Sequence, residues 1–423
     1  MLTAASLFAA AFADPDSVLV REHVASLANA TFRQPSGILR FPYLVPSGPY
    51  DQMWDWDAFF MGVALDEFGS RPYLAGTMMN FLDHTNVTTG EVQGCLKPSG
   101  ATGAIYHAKP IVIQGAWLSS QGNATAAHEF VGFEQQMASL LEYWVRAPHF
   151  VPMGSGDDGL YVWHDQMESG ADNLVTSRCP SKVAFWCWNE AKDADTLASV
   201  DLQLFLAREH EAYALFLRSW SQKSSTAAQA ARRERLAAWH EAKSTSILQA
   251  MEKWLWRDDL GRYVALDVKA NATIDNRVYL MGMPLWGGVA TAAQATRIAD
   301  NLMAPDMLSD WGFRSTSSLD PRYSNGNYIV PCSNWRGPVW VNANAFLLLG
   351  MASYVQLKPQ AETVARRLVH ALADDLRNSG TWHECMSSAS GKGLAAPGFL
   401  SWNTLGAQLL QNVQNGVDPF RIL

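Results

Sequence analysis

The residues best suited to chemistry are carboxylates set in loops: Asp55, Asp57, Asp165, Glu168, Asp172, Glu190, Asp320 and Glu384. Each lies in a stretch rich in Gly, Pro or Trp instead of on a helical stripe. "YDQMWDWDAFF" (50–60) interleaves Trp54 and Trp56 with Asp51, Asp55 and Asp57. A flat indole offers an apolar face to the C–H side of a sugar, while a neighbouring carboxylate or amide bonds its hydroxyls. Many of the seventeen tryptophans recur in such loops, among them Trp163, Trp186, Trp188, Trp335, Trp340, Trp382 and Trp402. Acid-catalysed cleavage of a glycosidic bond needs one protonated carboxyl and one ionised carboxylate flanking the sugar. Residue types alone leave the pair open among the eight candidates.

Other chemistries find less support. No G-x-S-x-G elbow marks a serine hydrolase, and no Gly-rich motif cradles a phosphate. His107, His164 and His383 lie in loops without metal-ligand spacing, so they read as hydrogen-bonding wall residues. No metal or organic cofactor is required. The net charge of −8 and the lack of a basic stripe argue against nucleic acid as a partner.

The loops must be held by helices, whose 3.6-residue period recurs throughout. Phe130, Phe133, Met137, Leu140 and Trp144 form one stripe within 123–147. Residues 195–257 read as a helical hairpin turning near 221–225. Thr291 and Gln294 form a capping box for a helix over 291–303. Pro359 suits the first turn of a long helix and Gly380 its C-terminal cap. Pro338 suits the first position of a helix carrying "VWVNANAFLLLGMASY". Strand signals are short, as in "GRYVAL" at 261–266. Asp51 and Asp55 read as turn and cap residues. The expected architecture is one all-α domain of about a dozen helices, with a site built from loops at one end.

Four segments resemble, in order, the glycoside hydrolase group that contains family 63 and the related trehalases of family 37. "MWDWDAFF" resembles its Trp-Asp sugar-binding signature, and "MESGADN" (167–173) the segment supplying the general acid, at Asp172. "GFRSTSSLDPRY" followed by "NWRGPVWVNANAF" is similar to its loop-then-helix block. "WHECMSSASGKG…FLSW" (382–402) resembles the closing block, whose base falls on Glu384 with Gly391 seven residues later. The resemblance runs from about residue 16 to residue 414 and implies an (α/α)6 barrel, a six-hairpin toroid. It implies an inverting α-glycosidase with Asp172 as acid and Glu384 as base. Trp54, Trp56 and Asp57 would hold the sugar, with Trp335, Arg336, Gly337 and Trp340 beside it. Asn173, Gln114 and Tyr50 are further expected contacts.

The chain departs from that pattern in three places. Met386 stands where a Tyr is usual. Leu174-Val175-Thr176-Ser177-Arg178 replaces a Ser-Pro-Arg continuation. Lys109-Pro110-Ile111 replaces "QPP". An ammonium at Lys109 points to an anionic aglycone, so mannosylglycerate or glucosylglycerate is the expected substrate. Trehalose or an α-gluco-oligosaccharide is the alternative. A non-catalytic carbohydrate-binding homologue is the second.

Residues 1–13 read as a candidate signal peptide with an A-x-A site at Ala11-Phe12-Ala13, and 14–423 as the glycosidase domain. The compartment is therefore secreted or endomembrane if that segment is cleaved, and cytoplasmic if it is retained. No apolar run reaches the ~20 residues that span a bilayer. Cys179 and Cys187 could bridge a loop in an oxidising compartment, and free thiols are the other reading.

Overall fold

Twelve of the thirteen α-helices among the described residues alternate between an outer ring and a more deeply buried inner ring. The computed structural model describes residues 14–100, 106–121, 123–146, 149–156, 158–163, 167–174, 197–328 and 333–422. The helices are α1 (Pro15–Leu27), α2 (Asp55–Ala64), α3 (Arg71–Asp83), α4 (Val112–Ser120), α5 (Glu134–Val145) and α6 (Val200–Ser221). They continue as α7 (Ala227–Leu255), α8 (Met283–Trp286), α9 (Ala292–Met303), α10 (Val341–Ala352), α11 (Lys358–Ser379) and α12 (Gly406–Asn415). Odd-numbered helices form the outer ring and even-numbered ones the inner. Each inner helix packs on the next, and the turn Ser401–Leu405 before α12 closes the ring onto α2. This is an (α/α)6 toroid.

Composition explains the two rings. Every residue of α2 and of α10 is buried, as expected of helices with apolar residues on all faces. In α11, by contrast, Ala361, Val364, Ala365, Leu368, Leu372 and Leu376 form one buried stripe, and its charges face water. The buried amide Asn344 on α10 is satisfied by the Phe313 backbone, and its Nδ2 also donates to the Trp340 carbonyl.

Aromatic rings fill the axis. Phe60 lies 5.3 Å from Phe346 and 5.8 Å from Phe420, between centroids. Trp286 lies 4.3 Å from Phe346. Trp56 caps this stack through Phe60 and Phe205.

Most local expectations hold. The capping box at Thr291 is formed in both directions. The hairpin turns between Ser221 and Ala227. Gly380 ends α11 at φ +73°. The expected helix over 123–147 is broken into Ala124–Glu129, a 3-10 turn Phe130–Phe133, and α5. Pro338 is not the first residue of α10. Trp340 occupies the N-cap, and Val339 instead pairs in extended form with Met386. "GRYVAL" contributes two short strands, Arg262–Tyr263 and Ala265–Asp267. Among the described residues no helix is long and apolar enough to cross a membrane.

Candidate active site

The base candidate is aimed by an irregular hairpin. Strands His383–Met386 and Gly393–Pro397 pair antiparallel with a register shift between His383 and Cys385, so Glu384 sits at a bulge, a device that re-aims a side chain. Opposite it Ala395 adopts φ +66°, a conformation that costs energy for any residue with a Cβ. The strained stretch lets the Ala396 backbone bond to the Glu384 carboxylate. The strand's start is pinned because His383 N–H donates to Asp375 on α11 at 2.9 Å. Gly391 lies in the hairpin turn, at φ +70°.

The acid candidate lies on a turn. Leu174 N–H donates to the Ala171 carbonyl, which places Asp172 at the corner. Gly170 precedes it at φ +78°. A Cβ there would come within 2.6 Å of Lys109 Cε, so only a glycine lets the lysine pass beneath the turn.

Ser333 joins the two. Its main-chain N–H donates to Asp172 Oδ2 at 2.9 Å, and its hydroxyl donates to Glu384 Oε1 at 2.7 Å. Two hydrogen bonds and the span of one serine put the carboxyl oxygens within ~9 Å of each other. Tyr50 donates its hydroxyl to Glu384 Oε2 at 3.2 Å. Burial and the Glu384 charge push the Tyr50 phenol up, so it stays a donor.

Burial pushes Glu384 up to about 7, and the nearby Asp172 charge adds to that; the Ser333 and Tyr50 hydroxyls oppose it. Asp57 also rises to about 7, through burial first and then the charges of Glu384 and Asp55, against a hydrogen bond from Ser401. Three carboxylates therefore lie close enough for their charges to disfavour one another.

The expected site residues divide into those at the pocket and those behind it. Asp172, Glu384, Tyr50 and Asp57 converge. Trp54 is half-buried at the N-cap of α2, beside Tyr50 and Tyr106. Trp56 is only 7% exposed. Its Nε1–H has no acceptor among the described residues, leaving one buried donor unsatisfied. Asn173 is fully buried and acts as a tie. Its Oδ1 accepts from Trp335 N–H at 2.6 Å, and its carbonyl accepts from Arg336 Nε at 2.9 Å.

Trp335, Arg336 and Trp340 are buried to within 1%. The two indoles stack at 3.9 Å and 4°. They form one buried slab; the expectation was a place beside the sugar. Gly337 joins them at φ +152°, with Tyr323 filling the space a Cβ would need. The slab is clamped on one side by Asn173 and on the other by Val339, which exchanges both backbone bonds with Met386.

Lys109 and Gln114 lie deeper than contacts to a substrate would suggest. Lys109 is 1% exposed, its Nζ lies 3.4 Å from Asp55 Oδ1, and it sits over the rings of Tyr106 (4.9 Å) and Trp56 (5.3 Å). Asp55 is correspondingly more than a cap, because its Oδ2 also accepts from Lys109 N–H at 2.7 Å. Asp51 is a surface residue, paired with Arg33. Gln114 is fully buried. Its amide donates to the Pro110 and Phe205 carbonyls and accepts from Arg208, tying α4 to α6.

Of the other loop candidates, Glu168 is buried near Tyr143 and Asp320 pairs with Arg322. Asp165, Glu190, Arg178, His164, Trp186, Trp188, Cys179, Cys187 and residues 1–13 lie outside the described residues. Ser333 and Ser401 carry no mark in the sequence. Each lies within or just before one of the four family-like segments, and only that proximity could have pointed to them.

The chain is similar to several known proteins. A family model, the mannosylglycerate hydrolase MGH1-like glycoside hydrolase domain, matches residues 50–402. Mannosylglycerate hydrolase of Rubrobacter radiotolerans is 28% identical over 180 residues, covering 42% of this chain and 37% of that protein. Periplasmic trehalase of Escherichia coli is 21% identical over 351 residues, covering 73% and 60%. The chain thus spans less than two thirds of the length of these curated relatives. Among solved structures, family 63 mannosylglycerate hydrolase of Thermus thermophilus with glucose superposes with TM-score 0.66 at 19% identity, covering 93% of this chain and 100% of the other. Neutral trehalase of Saccharomyces cerevisiae gives TM-score 0.64 at 14% identity, covering 95% and 83%. These structural likenesses establish the shared toroid.

Proposed function

The chain belongs to the mannosylglycerate hydrolase MGH1-like glycoside hydrolase family, and we propose that it is an inverting α-glycosidase acting on a small α-linked glycoside. The observation that supports this is the Ser333 bridge, which keeps Asp172 and Glu384 within ~9 Å of each other, compatible with the ~6.5–9.5 Å that leaves room for a water. Asp172, protonated, gives its proton to the glycosidic oxygen as the bond to C1 breaks. Glu384, ionised, takes a proton from water as the water oxygen bonds C1 from the opposite face. The products are a sugar of inverted configuration and a free aglycone hydroxyl. Solvent then returns a proton to Asp172 and removes one from Glu384. Trp54, the Trp56 Nε1–H and Asp57 supply the apolar face, a donor and an acceptor for the sugar.

Mannosylglycerate or glucosylglycerate is the substrate we favour, on family grounds. Trehalose is the second reading, and one observation favours it: the Lys109 charge is already engaged by Asp55, so no free cation at that position awaits a glycerate. A panel of mannosylglycerate, glucosylglycerate, trehalose and α-gluco-oligosaccharides, read by released monosaccharide, separates them. NMR of the first-formed anomer tests stereochemistry, and a retained anomer sinks the inverting mechanism. Binding across the panel without turnover makes the protein a carbohydrate-binding homologue instead.

A further inference from the structure

We propose that Ser333 is a positioning residue that couples the two halves of the reaction, its amide orienting the acid and its hydroxyl orienting the base. The proposal rests on the acid–base reading above and assigns a role to a residue outside the four family-like segments.

The geometry distinguishes the two oxygens of each carboxyl. An N–H can only donate, so Asp172 Oδ2 must be an acceptor whenever the bond from Ser333 is made. In the protonated acid this favours the hydrogen on Oδ1, leaving Oδ2 to the Ser333 amide. At Glu384, Oε1 is held by the Ser333 hydroxyl and Oε2 by Tyr50. Hydrogen bonds to the charged form of a carboxylate favour that form. Ser333 thus opposes the burial and the Asp172 charge that work against ionising Glu384. It is itself held in place because the next residues are tied down. Asn334 Nδ2 donates to the Ser324 and Gly326 carbonyls, and Trp335 N–H donates to Asn173. One rigid turn then sets the orientation of both carboxyls, although their hydrogen bonds come from different atoms of one residue.

That division makes the test selective. Ser333→Ala removes the hydroxyl and keeps the amide. In the bell-shaped pH profile of kcat/KM, the acidic limb reports the base and the basic limb the acid. With the fastest-hydrolysed of mannosylglycerate, glucosylglycerate and trehalose as probe, the acidic limb of Ser333→Ala moves up by about one pH unit, so activity at a pH on that limb falls about tenfold. The basic limb stays put, and activity near the optimum changes much less. Ser333→Thr restores the limb. If Ala disturbs folding, judged by circular dichroism, Ser333→Cys repeats the test with a side chain of similar shape and weak donating power. An acidic limb that stays put in a folded variant overturns the proposal, as does a loss equal at every pH. A wild-type protein that turns over none of these probes and no α-gluco-oligosaccharide overturns the glycosidase reading and this proposal with it.

Discussion

Removing the Lys109 ammonium separates a substrate-binding lysine from a structural one. In Lys109→Met the thioether fills the channel beneath Gly170, but Asp55 is left charged and 1% exposed. Breaking a buried pair from one side costs about 3–5 kcal/mol. The low end applies here, because Asp55 still accepts backbone N–H bonds from Trp56 and Lys109 at 2.6 and 2.7 Å. At ~2.1 cal/mol/K per residue, unfolding a chain of 423 residues has an entropy near 0.9 kcal/mol/K, so a loss of about 3 kcal/mol lowers Tm by about 3–4 °C. The loss should persist in high salt, since the pair is shielded from mobile ions. Because Lys109 supports the turn carrying Asp172, kcat/KM should fall by the same factor for mannosylglycerate and for trehalose. Differential scanning fluorimetry and steady-state kinetics on the two substrates read both quantities. An unchanged Tm together with a KM raised for mannosylglycerate alone would refute the reasoning and return Lys109 to the substrate.

Further outcomes follow from the same geometry. Asp172→Asn and Glu384→Gln each cost at least about a thousandfold in kcat with the fold intact, since each removes one half of the proton transfer; near-normal turnover in either disproves the assignment. Glu384 and Asp57 titrate near 7 when folded, above their unfolded values, so the stability they contribute is present at low pH and is lost as pH rises from about 4 through 7. Tm should fall across that window, and less steeply in Glu384→Gln and Asp57→Asn; parallel curves for wild type and variants contradict this. Gln114→Ala leaves two buried carbonyls without their amide donor and should lower stability by about 1–3 kcal/mol while KM holds; a KM effect without a Tm effect would place Gln114 in the site after all.

What could be read in advance follows from the range of each signal. Thr291 with Gln294, and Gly380, act over a few residues, so local chemistry reveals them. The amphipathic stripe of α11 is legible because one face meets water. The inner helices α2 and α10 have no polar face, so periodicity says little about where their buried Asn and Asp side chains lead. Asp172 and Glu384 are 212 positions apart in the chain, and only ordered resemblance brought them together. Depth was the quantity least accessible. A lysine and an aspartate 54 residues apart carry no mark that they neutralise each other in the interior. Trp335 and Trp340 look like sugar platforms by type, yet their rings are spent on each other. Ser333 was invisible because its function lies in where its two donors point, and a serine has no composition signal for that.

The aromatic column along the axis has a topological consequence. Phe60, Phe346 and Trp286 of the inner helices pack against one another and against Phe420, next to Trp56. A polymer cannot be threaded between rings in contact, so a sugar that reaches Trp56 should do so as a terminal unit. If an α-glucan is a substrate at all, its solution should keep its viscosity while monosaccharide accumulates; a rapid fall in viscosity would contradict this.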